Sequence, residues 1–238
     1  MTDAEVRKGM TNMTAQKVTK KELQEPDFLH EWLEKTVAYA RQYRKALYVS
    51  SISVLVVALV AAGWFLFRMN LEGKAQGLYQ KTYNNYLKAQ PLVRDGEAIK
   101  GYQELVKAYP SSRAAHIALY RMGNLFFQAQ NYDEAIRSYE KFIEQASPEG
   151  ELVTLALSGL ALSKEAKKDY SGALASLERA LKTKSGVLFE GILLRDMARM
   201  YERLNDKKNA LEYYRRAVSV TKDPSIVILL KRKIATLS

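Results

Sequence analysis

The sequence predicts an all-α protein: one helix able to cross a membrane, then a solenoid of paired helices closed by a C-terminal capping helix. Three observations lead there. From Ala46 to Phe67, about 22 residues pass without a charged side chain, which at 1.5 Å rise per residue matches a hydrocarbon core of roughly 30 Å. Past that stretch Ala98, Ala135, Ala173 and Ala210 recur at spacings of 37, 38 and 37 residues, each followed four positions later by Tyr102, Tyr139, Leu177 or Tyr214. A repeat period in the thirties marks a helical solenoid, whose units bury their apolar faces only by stacking. Finally, 12 Gly and 5 Pro in 238 residues leave few places where a helix must stop.

Taken in order, residues 1–25 mix Thr, Lys, Glu and Gln with few apolar anchors, which predicts a disordered arm. Pro26 and Asp27 open an expected juxtamembrane helix, 26–45. Phe28, Leu29, Trp32, Leu33 and Val37 share one face of it, which can lie along headgroups, dock a partner, or simply continue out of the membrane. The span itself, 46–67, has Tyr48 and Trp64 near its ends, at the depth amphipathic rings prefer. Because 45 residues precede it and Val60-Ala61-Ala62 is a poor cleavage triplet, it reads as an uncleaved signal anchor. Arg41, Arg44 and Lys45 stand before it and only Arg68 closely after. That asymmetry predicts a cytoplasmic N-terminus and exported repeats. Lys74, Lys81 and Lys88 reduce it over a wider window and keep a cytoplasm-facing repeat domain open.

The repeat domain is expected over 71–238. Each small register residue allows two helices to cross closely, and the larger residue four positions on fills the space to the next unit. Leu119, Met122, Gly123 and Phe126 match Leu194, Met197, Ala198 and Tyr201 in order; Leu157, Leu160 and Ala161 match too, but Lys164 stands at the aromatic place. The first unit is recognisable mainly in its second helix, Glu97 to Tyr109, behind a capping helix from about Gly73 to Ala89. Asn131-x-x-Glu134 reads as a capping box, Ser112 and Asp206 as N-caps, and Ser147-Pro148 and Asp223-Pro224 as caps with Pro in the first turn. A last helix over 224–237 offers Ile226, Leu229, Leu230, Ile234 and Leu237 to the final repeat.

Composition excludes several chemistries. Without Cys there is no disulfide, thiolate metal site or cysteine nucleophile. The two histidines, His30 and His116, stand far apart, and no phosphate loop, dinucleotide fingerprint or nucleophile elbow occurs. The expectation is therefore no enzyme, no metal and no cofactor. A net charge of +11 invites nucleic acid, but the basic residues are scattered doublets such as Lys167/Lys168 and Arg215/Arg216, which suit a solvated surface better than a footprint.

The order apolar, small, aromatic on the first helix of each pair resembles the tetratricopeptide repeat (TPR), although the period exceeds the usual 34 by three or four residues. In that family the first helices line a groove. The resemblance implies a protein-binding surface made of Tyr83 and Leu87, then Tyr120, Asn124 and Phe127, then Ser158 and Leu162, then Arg195, Arg199 and Glu202. Its front would be aromatic and its far end cationic.

Cytoplasmic arm, single anchor, exported divergent repeats and the terminal Lys233-Ile-x-x-Leu-Ser238 together resemble the bacterial ancillary SecYEG translocon subunit family. That likeness implies residence in the inner membrane with the repeats in the periplasm. It also implies partners among translocon subunits, periplasmic chaperones or exported chains. Tyr109-Pro110-Ser111-Ser112 and the stretch Gly123 to Tyr139 also resemble periplasmic TPR adaptors of outer-membrane or cell-wall assembly. Unlike either, residues 68–238 hold 28 Lys plus Arg against 19 Asp plus Glu, a surplus suited to lipid headgroups or an acidic protein.

Overall fold

The computed structural model describes residues 28–146 and 150–238. Among them the chain forms ten helices and no strand: α1 (Phe28–Gln42), α2 (Arg44–Lys88), α3 (Pro91–Ala108), α4 (Arg113–Gln128), α5 (Tyr132–Gln145), α6 (Glu151–Ala166), α7 (Tyr170–Leu181), α8 (Gly186–Arg203), α9 (Lys207–Val220) and α10 (Pro224–Leu237). The chain divides into two compact units after Trp64. The expected disordered arm, the Pro26-Asp27 helix start and the Ser147-Pro148 cap lie outside the described residues.

In the first unit, Trp32, Leu33 and Val37 on α1 are exposed. The helix expected over 26–45 ends at Gln42; after the turn residue Tyr43, Arg44 and Lys45 open α2. Among the described residues α2 is the one helix long and apolar enough to cross a membrane. Its serines are self-satisfied: Ser50 and Ser51 donate to the Leu47 carbonyl at 3.0 and 2.7 Å, and Ser53 to Val49 at 2.9 Å. Such bonds lower the cost of hydroxyls in an apolar stretch. No break separates this stretch from the expected capping helix 73–89, which is the last part of α2.

The second unit repeats one pattern. α5 packs on α4 and α6, α7 on α6 and α8, and α9 on α8 and α10. All four register alanines are buried, as are Tyr102, Tyr139, Leu177 and Tyr214. The reason is steric. A Cβ on Gly123 would stand 2.6 Å from the Tyr139 ring and one on Gly159 2.5 Å from it, so the ring lies wedged between α4 and α6. Lys164, at the place of an aromatic, reaches Glu140 at 3.6 Å.

The turns inside the pairs are copies of one another. Gln130, Lys168 and Asn205 all have positive φ (57, 66 and 61°). At each turn this residue's N–H bonds the third carbonyl back, and the next N–H bonds the fifth: Gln130 to Phe127 and Asn131 to Phe126, Lys168 to Glu165 and Asp169 to Lys164, Asn205 to Glu202 and Asp206 to Tyr201. This is a Schellman ending. Its last residue at once caps the next helix, with Asn131, Asp169 and Asp206 accepting from Glu134, Gly172 and Asn209. The predicted box at Asn131 forms by half: its own N–H is taken by Phe126, and Glu134 turns to Arg137 instead.

Two details of the second unit differ from expectation. α3 starts at Pro91, well ahead of Glu97, because Pro in the first turn lacks only a donor that would have been orphaned there. On α10, Ile226, Leu230, Ile234 and Leu237 pack on the last repeat, whereas Leu229 is exposed, one step off that four-residue stripe. Ser112 caps α4 by accepting from Ala115, and Glu72 of α2 accepts from the Arg113 and Ala114 N–H groups at 3.0 and 3.2 Å. So α2 is fastened to the start of α4.

Candidate functional site

Between α2 and α4, with α3 behind, lies a hollow of ≈ 210 Å³ lined by Tyr83, Tyr86, Tyr102, Arg121, Asn124, Leu125, Phe127 and Gln128. Helical spacing brings these groups together: Tyr83 and Tyr86 are one turn apart on α2, as are Arg121, Asn124 and Phe127 on α4. The aromatic wall continues beneath. Tyr79 stacks with Tyr83 at 6.4 Å between centroids and tilts against Tyr102 at 5.6 Å.

Two cations border the wall. The Arg121 guanidinium stands 5.3 Å from the Tyr83 centroid, and Arg94 stands 4.7 Å from Tyr86 while pairing with Asp95 at 3.1 Å. Arg121 has no carboxylate partner among the described residues; its neighbours are the hydroxyls of Tyr79, Tyr102 and Tyr83. Burial pushes Tyr102 up to about 12, with Tyr79 adding to it, so that hydroxyl stays protonated at neutral pH.

Of the ten residues predicted for the groove, Tyr83, Asn124 and Phe127 line this hollow. Asn124 is held there by accepting from the Tyr139 hydroxyl at 2.7 Å, and Phe127 by leaning on Tyr132 at 5.7 Å. Leu87 is exposed one turn beyond Tyr83. Tyr120 turns elsewhere: it packs on Tyr139 and Phe142, at 6.3 and 5.7 Å, and completes the core. Ser158 donates to the Thr154 carbonyl at 2.9 Å, and Leu162 is half-buried on the same helix.

The far end corrects the expectation of a cationic groove. Arg199 makes a fork to Glu165 at 2.9 and 2.8 Å and a third contact to Asp196 at 3.1 Å. Arg195 also pairs with Asp196, at 3.0 Å. Glu202 accepts from the Tyr214 hydroxyl at 2.9 Å and from Lys233 of α10 at 2.9 Å. Burial works against the charge on Arg199, but Asp196 and Glu165 more than offset it and raise its pKa. These charges are spent on each other. At the front, Arg121, outside the predicted set, is a cation with no carboxylate partner among the described residues.

Tetratricopeptide-repeat models match residues 114–185 and 193–227. Those two segments are thus tetratricopeptide repeats, and the second unit is a TPR-like helical solenoid. Solved structures agree on the fold. A MamA protein structure is 17% identical with a TM-score of 0.56, covering 67% of this chain and 80% of its own. MamA from Desulfovibrio magneticus RS-1 is 18% identical with a TM-score of 0.51, covering 61% and 75%. The nearly identical TPR-like repeats of Podosopora anserina give 12% and 0.52, covering 70% and 86%. No curated protein matches the chain in sequence. The TPR solenoid is a protein-interaction scaffold, and the front hollow is its one recess, among those described, walled by aromatic rings from both neighbouring first helices.

Proposed function

We propose that this TPR scaffold is tethered by α2 to the bacterial inner membrane, with its repeats in the periplasm. There its front hollow engages protein partners or exported chains beside the protein translocation machinery. The observation that carries the binding role is the hollow itself: four aromatic side chains, two amides and a guanidinium with no carboxylate partner among the described residues converge on one recess. Such a recess fits an apolar or aromatic side chain with an acidic group next to it. The uncharged stretch of α2 supports the tether, and Arg41, Arg44 and Lys45 support the topology.

The test is co-purification from gently solubilised membranes, comparing wild type with Tyr83→Ala/Phe127→Ala. Translocon subunits or exported chains should come down with wild type and be depleted with the double variant. Outer-membrane or cell-wall factors in their place would turn the reading toward an envelope-assembly adaptor. A reporter active only outside the cytoplasm, fused after Ser238, should be active; silence there would overturn the periplasmic assignment.

A further inference from the structure

We infer that one edge of the repeat solenoid rests on the surface of an anionic bilayer, through Val187 and Leu188 and a row of lysines and arginines. This rests on the membrane-tethered reading above. The starting point is Arg68, which closes the apolar stretch of α2 and hydrogen-bonds Ser111 at 3.4 Å. A turn later Glu72 caps α4. The α3–α4 turn therefore lies where the chain would leave the lipid. In a stack of antiparallel helix pairs the turns between pairs all fall on one edge, and contacts trace that edge here. A hollow joins Arg68 and Pro110–Arg113 to Gln145 at the end of α5. A second joins Ile143 and Ala146 to Lys182–Lys184. A third joins Leu188 and Ile192 to Val220–Asp223. The α3–α4, α7–α8 and α9–α10 turns and the facing ends of α5 and α6 thus form one continuous margin that begins beside Arg68.

Its composition suits headgroups. Val187 and Leu188 are 74% and 75% exposed, more than any other large apolar residue of the described chain. Nothing in the fold requires two such residues in the first turn of α8, where a polar pair would serve the helix as well. Around them the margin carries Arg68, Arg113, Arg179, Lys182, Lys184 and Lys222. The carboxylates lining the same hollows, Glu72 and Asp223, are taken up as helix caps, and exposed Glu144 and Glu151 leave these described residues of the margin net basic. Exposed aliphatic residues inside a basic rim fit an anionic lipid surface, which accepts the side chains at headgroup depth and the charges at phosphate. An apolar contact with a second protein would not need the basic rim.

The chain has no Cys, so single cysteines can carry an environment-sensitive fluorophore without removing native ones. The full chain would be labelled at Val187→Cys, at Val57→Cys inside the span and at Lys208→Cys on the opposite edge. It would then be reconstituted in vesicles of phosphatidylcholine with and without phosphatidylglycerol, containing spin-labelled quencher lipids. Quenching at 187 in phosphatidylglycerol vesicles, little at 208, and a fall of at least about fivefold with Lys182→Glu/Lys184→Glu are expected. Quenching at 57 with a water-like 187 would overturn the edge contact and leave the tether intact. No quenching at 57 would overturn the tether and this inference together. A blue shift at 187 without lipid quenching would mean that a second copy covers the edge, which also overturns it.

Discussion

The front and far ends of the repeat face carry different charges at the same positions. Where α4 has Arg121 and Asn124, α8, two repeats on, has Asp196 and Arg199. In front, the cation lies over the Tyr83 ring with no carboxylate partner among the described residues, and Asn124 is satisfied by Tyr139. Behind, Asp196 is nearly buried between Arg195 and Arg199, and Arg199 forks onto Glu165 of the preceding repeat. One substitution pattern leaves a recess with unspent binding capacity; the other closes on itself and ties neighbouring repeats together. Local charge thus says little about function until its partners are known.

The sharpest way to break this comparison is to remove Asp196. Asp196→Ala takes the only carboxylate partner that Arg195 has among the described residues and one of the two that Arg199 has, and should lower unfolding stability by about 2 to 3 kcal/mol. Arg121→Ala, at the front, should change it by less than about 0.5 kcal/mol. Chemical denaturation followed by far-UV circular dichroism reads both. Equal losses would mean that the two ends do not differ in role.

Next in size is the Tyr139 wedge that sets the spacing of α4 and α6. Gly159→Ala or Gly123→Ala forces the ring aside and should cost roughly 1 to 3 kcal/mol. The Gly159 variant should also disturb the hollow, because Asn124 is aimed by the Tyr139 hydroxyl. A wild-type melting temperature for Gly159→Ala would show that the ring has room to move.

How much of this was legible follows from what periodicity encodes. Small residues under helix crossings and caps at helix starts are dictated by local sterics and orphan N–H groups, so the alanine register and Ser112, Asp206 and Asp223 could be read directly. Who pairs with whom could not. The Arg199–Glu165 and Lys167–Asp133 contacts each join residues 34 positions apart, a distance set by how the repeats stack and invisible to a helical wheel. Tyr120 shows the same limit: on α4 it sits one residue from Arg121, and only the placement of α5 decides that its ring belongs to the core.

The front end is sharpened by separating binding from stability. Tyr83→Ala and Phe127→Ala should each weaken partner capture by about 1 kcal/mol or more with helicity intact. Tyr120→Ala should instead lower stability, since its ring packs on Tyr139 and Phe142. Photo-crosslinkers at Gln128 and at Arg195 give a second readout: partner adducts should form from Gln128, which lines the hollow. Adducts from Arg195 alone would reverse the assignment of the working end.

A smaller effect concerns pH at the far end. Burial alone would raise the Glu202 carboxyl, but the bonds from Lys233 and Tyr214 outweigh it and hold the pKa below the ordinary glutamate value. A depressed folded-state pKa contributes stability that is present above the unfolded value and lost as pH falls through the folded one. Mild acid below the usual glutamate range should therefore loosen α10 from the last repeat, and Glu202→Gln should flatten that response. Hydrogen exchange along α10 at descending pH would reveal it. Unchanged protection in wild type would remove Glu202 from the closure of the solenoid.

The smallest effect lies in the turns, and it separates the full repeats from the first pair. Gln130 and Lys168 occupy the left-handed region, where a side chain with a Cβ is strained and glycine is not. The Schellman bonds at those turns need only backbone groups, so glycine can make them all. Lys168→Gly and Gln130→Gly should each stabilise by up to about 1 kcal/mol, the relief of strain exceeding the added entropy of the unfolded chain. Asn205→Gly should gain less, because Asn tolerates this conformation better. The α2–α3 turn supplies the control. Gln90 there is extended, at φ −65° and ψ 145° ahead of Pro91, a conformation open to any residue, so Gln90→Gly relieves nothing and should cost a few tenths of a kcal/mol through unfolded-chain entropy alone. Denaturation midpoints of the four variants should thus rise at 130 and 168, rise slightly at 205, and fall at 90. A rise at 90 equal to that at 168 would mean that the front turn shares the strain of the others and that the first pair is an ordinary repeat.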